Sequence, residues 1–101
     1  MEKINLSQII ALSEESKTGI DISIIAKYKK SLLTYFNSYY NCEPFLIVTD
    51  VFNAVQYGFI APANELHDAL DTYFEESTDT EEEIEEYKET ILFNSIPLSK
   101  L

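Results

Sequence analysis

The chain has 101 residues, 46% of them apolar and including six Phe and seven Tyr, enough for one modest hydrophobic core and too apolar for disorder. A single cysteine excludes an internal disulfide and a multi-cysteine zinc site. A formal net charge of −11 with no arginine excludes the basic stripe that a nucleic-acid backbone or an anionic membrane surface requires.

One domain spanning residues 1–101 is expected from this length. The start, "MEKINLSQIIALSEES", has only a short apolar run followed by acids, so it reads as no signal peptide. No stretch approaches the roughly 18 apolar residues of a membrane span. The expected location is the cytoplasm.

Residues 5–16 place Leu6, Ile9 and Ile10 on one helical face, with Asn5 as a cap and Lys17-Thr18-Gly19 as the stop. Residues 22–41 form the longest periodic segment, with Ile22, Ile25, Leu32, Leu33, Phe36 and Tyr40 at helical spacing behind an Asp21 cap. Tyr28, Tyr35 and Tyr39 follow a second stripe on another face of that helix. Residues 44–57, "PFLIVTDVFNAVQY", are apolar nearly all round. Pro44 fits a first helical position and Gly58 a helix stop. The run "FLIVTDVF" is also β-prone, but no other segment offers a convincing strand partner, so a buried helix is expected.

Residues 62–76 carry Leu66, Ala69, Leu70, Tyr73 and Phe74 at one helical face. Residues 80–93 follow with Ile84, Tyr87, Ile91 and Leu92 inward and Thr80 with Glu83 as a capping box. The short connector Thr78-Asp79 suggests an antiparallel helical hairpin, and Pro97 stops the chain from continuing as helix. The expected fold is all-α, a compact bundle of four to five short helices. The expected core comprises Leu33, Phe36, Val51, Phe52, Val55, Leu70, Phe74 and Ile91.

Catalytic equipment is sparse. His67 is the only histidine and Cys42 the only thiol, far apart in the chain. Two isolated glycines cannot build a phosphate-cradling loop. "NELH" puts Asn64, not Glu, three residues before His67, which breaks the helical di-metal motif. A regular helix through "TEEEIEE" lacks calcium-loop geometry. No enzyme activity, catalytic residue, metal or cofactor is expected.

The charge is confined. Residues 1–64 carry six acids and five lysines, whereas residues 65–89 carry twelve acids and Lys88. Scattered acids would serve solubility equally well. Concentrated ones make a field that attracts a basic partner. The candidate partner-binding residues are Asp68, Asp71, Glu75, Glu76, Asp79, Glu81, Glu82, Glu85, Glu86 and Glu89. Rows of carboxylates on a rigid helix pair imitate phosphate spacing and suit a nucleic-acid-binding cleft. Tyr28, Tyr35 and Tyr39 are secondary candidates, either as a second contact face or as core cover.

In size, acidity and expected helical order the whole chain resembles the helical immunity proteins that neutralise tRNA-cleaving bacterial toxins, the colicin D immunity family and its counterparts in contact-dependent growth inhibition. The resemblance implies a non-enzymatic inhibitor that sets an acidic surface into the active site of a basic nuclease, without touching nucleic acid or membrane itself. It rests on no motif, so the carboxylates above come from periodicity alone. The alternative of matching size and charge is a phage-encoded nucleic-acid mimic that inhibits a host defence nuclease, such as an anti-CRISPR protein.

Overall fold

The computed structural model describes residues 5–101; residues 1–4, the first part of the run read above as no signal peptide, lie outside them. Helix α1 (Leu6–Glu15) opens as its sequence dictates. The Asn5 side chain accepts from Gln8 N at 3.0 Å, and the Gln8 side chain accepts from Asn5 N at 2.9 Å. It stops earlier than the glycine, at Ser16, whose left-handed φ of 55° lets its N–H reach the Leu12 and Ser13 carbonyls. A two-residue strand β1 (Ile20–Asp21) follows. Asp21 then caps α2 (Ile22–Lys27), accepting from Ser23 N at 2.9 Å. Tyr28 breaks the expected 22–41 helix, so α3 (Lys29–Tyr39) is a separate element.

The all-α expectation fails at residues 44–62. They form an antiparallel hairpin, β2 (Pro44–Phe52) and β3 (Val55–Pro62). Asn53 and Ala54 make its two-residue loop with φ of 52° and 63°, the handedness of a type I′ turn. β4 (Ile96–Pro97) adds to β2 and β1 adds to β3, giving a four-stranded antiparallel sheet in the order β1-β3-β2-β4. The fold is α+β.

The sheet is covered on both faces, which explains the sequence pattern. Leu46 and Ile60, paired across β2 and β3, face a cluster with Ile9, Ile25, Leu32 and Phe36 from α1, α2 and α3. Ile47 and Phe59, the next pair, face the opposite way, toward Ala69 and Leu70 of α4 (Leu66–Tyr73) and Ile91 and Leu92 of α5 (Glu81–Asn94). A strand buried on both faces loses the alternation that marks a half-exposed one. Burying a side chain the size of Phe36 or Phe59 contributes about 1.5–3 kcal/mol.

Residue Thr49 is an extra residue in β2, because Val48 pairs with Gly58 and Asp50 with Tyr57. Beyond this bulge the hairpin runs out of the layers. Val51 and Phe52, expected in the core, are 59% and 66% exposed. Val55, Leu33, Phe74 and Ile91 are half-buried, while Phe36 and Leu70 are buried as expected. Pro44 opens a strand, not a helix, and Gly58 lies within β3. There the β2 backbone approaches so closely that a Cβ would run into the Ile47 carbonyl.

The edge strands β1 and β4 are only two residues long, so they cover only part of β3 and β2. On β3, the Ile60 N–H donates to the buried Ser13 hydroxyl of α1 at 3.2 Å. On β2, beyond the bulge, the Val51 N–H donates to the Asp50 carboxylate at 2.9 Å. Among the described residues no helix is long and apolar enough to cross a membrane.

Candidate functional site: an acidic face with an aromatic cleft

Helices α4 and α5 lie on the same face of the sheet, so their outward positions share one side of the molecule. They are not joined by a two-residue connector. α4 ends at Tyr73, and residues 74–80 link it to α5. Glu75 and Glu76 therefore sit in turns past the helix, and Asp79 in the connector. Asp68 and Asp71 stand on α4; Glu81, Glu82, Glu85, Glu86 and Glu89 stand on α5. All ten are exposed.

The acidic run is helical for identifiable reasons. Thr80 accepts from Glu83 N at 3.2 Å, capping the start of α5. Glu81, Glu82 and Glu83 in its first turn meet the positive end of the helix dipole, an interaction of about 0.3–1 kcal/mol each. That offsets the like-charge repulsion along the helix, a few tenths of a kcal/mol per pair.

The ten carboxylates differ in what they touch. Lys88, half-buried, donates to Asp71 and lies 3.7 Å from Glu85. Its ammonium is held above the usual lysine range, chiefly by the bond to Asp71. Lys17 lies 3.7 Å from Glu75 and 4.0 Å from Glu76 in an exposed pairing that contributes little to stability. Asp79 accepts from the Ser77 hydroxyl at 2.9 Å. Asp68, Asp79, Glu81, Glu82, Glu86 and Glu89 have no cation at ion-pair distance among the described residues.

The tyrosine candidates are elsewhere. Tyr28 and Tyr35 lean on the core cluster of the opposite helical layer. Tyr35 stacks on Tyr39 at 5.5 Å, and Tyr39 is largely exposed. Tyr40, on the core-facing stripe by helical spacing, packs edge-on against both Tyr35 and Tyr39. Its hydroxyl donates to Glu14 at 2.5 Å, and burial, reinforced by Glu14, raises its ionisation well above the ordinary phenol value. Glu14 also borders a small cavity of about 140 Å³ with Glu65 and Asp68, where α1 and α4 meet over the end of β3.

A second feature, absent from the sequence reading, is a cleft beside α5. Phe59, Tyr73, Phe74 and Tyr87 form an aromatic ladder from the core to the surface, with successive centroids at 5.9, 5.1 and 6.2 Å. Its outer end opens into a cleft of about 530 Å³ lined by Thr49, Tyr73, Phe74, Tyr87 and Ile91, with Glu86 at the rim. Two neighbouring hollows share Thr49 with it, so the bulge sits at the middle of one depression. Helical periodicity had assigned Tyr73, Phe74, Tyr87 and Ile91 to the interior. Tyr73, Phe74 and Ile91 are half-buried against the core, and Tyr87 is exposed.

His67 is exposed on α4, and Cys42 is half-buried ahead of β2. Among the described residues no group of three His, Cys, Asp or Glu side chains is arranged to hold a metal ion. Comparison of the chain with protein-family models, with curated proteins and with solved structures finds no match in any of the three.

Proposed function

We propose that the protein is an inhibitor of a basic nuclease, acting as an immunity protein against an RNA-cleaving toxin by laying its α4–α5 side into the enzyme's phosphate-binding cleft. The observation that carries this reading is the exposure of all twelve carboxylates of residues 65–89, Glu65 at the start of α4 and the rest on and between two helices that cover one sheet face. Lys17 and Lys88 are the only cations paired with them among the described residues, so most of the field is uncompensated. Such a field repels nucleic acid and raises the arrival rate of a cationic protein surface by roughly 10–10³-fold at low salt. The sheet removes helical order from the likeness to the helical immunity proteins, so what supports the reading is the acidic α4–α5 side together with the chain's size and acidity.

The test is neutralisation. TRNA-cleaving toxin domains of the colicin D and contact-dependent inhibition classes are coexpressed with the protein, and growth and tRNA integrity are followed. The reading expects at least one domain to be silenced at a one-to-one ratio in vitro. Full tRNA cleavage by every domain of the panel at a tenfold excess of the protein counts against it.

A further inference from the structure

We infer that the cleft beside α5 is a guanidinium site, the point at which an arginine of the basic partner anchors. The inference rests on the proposal that the partner is basic and names the contact at its centre. Acids alone do not discriminate among cations, but this cleft adds an open aromatic face. Tyr87 is 45% exposed, and its ring is stacked on Phe74 at 6.2 Å with 19° between planes. The ring thus lies near-parallel to its neighbour at the end of the ladder, and it lines the cleft with Ile91, Thr90 and Thr49. A guanidinium is flat and weakly hydrated, stacks on aromatic faces, and presents N–H donors at its edges. Its hydrocarbon stem suits an apolar wall such as Ile91.

The rim supplies the matching charge. Glu86 lines the cleft, and Asp50 lines the adjoining hollow that shares Thr49, Thr90 and Ile91. Both are exposed and neither has a cation at ion-pair distance among the described residues. Lys17 lines the third hollow with Thr49, Asp50 and Tyr73, where it lies at ion-pair distance from Glu75 and Glu76, and Lys88 is engaged with Asp71 and Glu85. An aromatic plane, an apolar wall and carboxylates without a cation partner fit arginine better than lysine, whose compact ammonium stays hydrated and gains less from the ring. The volume of about 530 Å³ and the open mouth admit one side chain carried on a protein surface.

Hexa-arginine and hexalysine peptides of equal charge are the probes, titrated into the intact protein at low salt while amide shifts are followed by NMR. Arginine is expected to bind about threefold tighter or more, with the largest shifts at Thr49, Tyr87, Thr90 and Ile91. Tyr87→Leu, which keeps apolar cover but removes the ring, is expected to erase the preference, and Tyr87→Phe to retain it. Equal binding of the two peptides, or shifts spread evenly over the carboxylates of α4 and α5, overturns the guanidinium site and leaves the acidic-surface reading standing. No binding of either peptide at low salt overturns both.

Discussion

Gly58 shows most directly how one residue holds the hairpin together. A methyl group there meets the Ile47 carbonyl, which is backbone and cannot rotate away. Gly58→Ala is therefore expected to destabilise by about 1–3 kcal/mol or more, a large part of the stability of a domain this size. Urea unfolding with an unchanged midpoint would show that the two strands are less close than described. Ala54 is the opposite case. It holds φ 63° in a turn that favours Asn-Gly, so Ala54→Gly is expected to stabilise by about 0.5–1 kcal/mol by relieving the left-handed strain. A loss of stability would show that the loop does not have this handedness. The Tyr40–Glu14 bond predicts a pH effect. Burial, reinforced by Glu14, makes the folded state hold the Tyr40 proton more tightly than the unfolded chain, so this contribution to stability is fully present below about pH 10 and is lost as pH rises beyond it. Tyr35 and Lys88, also raised, act in the same direction. Tyr40→Phe should flatten that alkaline decline. An identical slope in the variant would place the proton loss elsewhere.

Among the elements, those with a local signature were legible from sequence and the sheet was not. Asn5 and Asp21 cap where their side chains predict, because a cap depends on three neighbouring residues. The α4 periodicity also holds, with Ala69 and Leu70 buried, whereas on α5 Ile84, Ile91 and Leu92 are half-buried and Tyr87, read as inward, is exposed. Residues 44–57 were misassigned because Leu46 and Ile47 are buried against different helical layers, which makes a strand as continuously apolar as a buried helix. The turn signal was present as Asn53-Ala54 but lacked its usual glycine, and β1 and β4 are too short to advertise themselves. The ten carboxylates were correctly placed outside, whereas the cleft beside them arises from long-range packing. α5 has no buried residue and is held by half-buried Ile91 and Leu92, the Tyr87–Phe74 stack and the Lys88–Asp71 bond. Its amides from Glu85 to Lys88 are expected to exchange with solvent faster than those of Leu46 and Ile60 in the sheet. Equal protection by hydrogen exchange would mean that α5 opens only with the whole fold.

At the scale of the molecule, a four-stranded sheet covered on both faces carries helices of two kinds. α1, α2 and α3 supply most of the core, while α4 and α5 spread a thin apolar seam beneath a wall of carboxylates. This separation lets the charged face change without loss of the core. The most direct measurement is the association rate of the neutralised nuclease domain with wild type and with a variant in which Asp68, Glu81, Glu82, Glu86 and Glu89 become Asn or Gln, across a series of salt concentrations. These five lack cation partners among the described residues, so their replacement breaks no internal ion pair. An association slowed by about tenfold or more at low salt, with a flatter salt dependence and unchanged helix content, is the predicted result. An unchanged rate and an unchanged salt slope would contradict the assignment of the α4–α5 face as the binding surface.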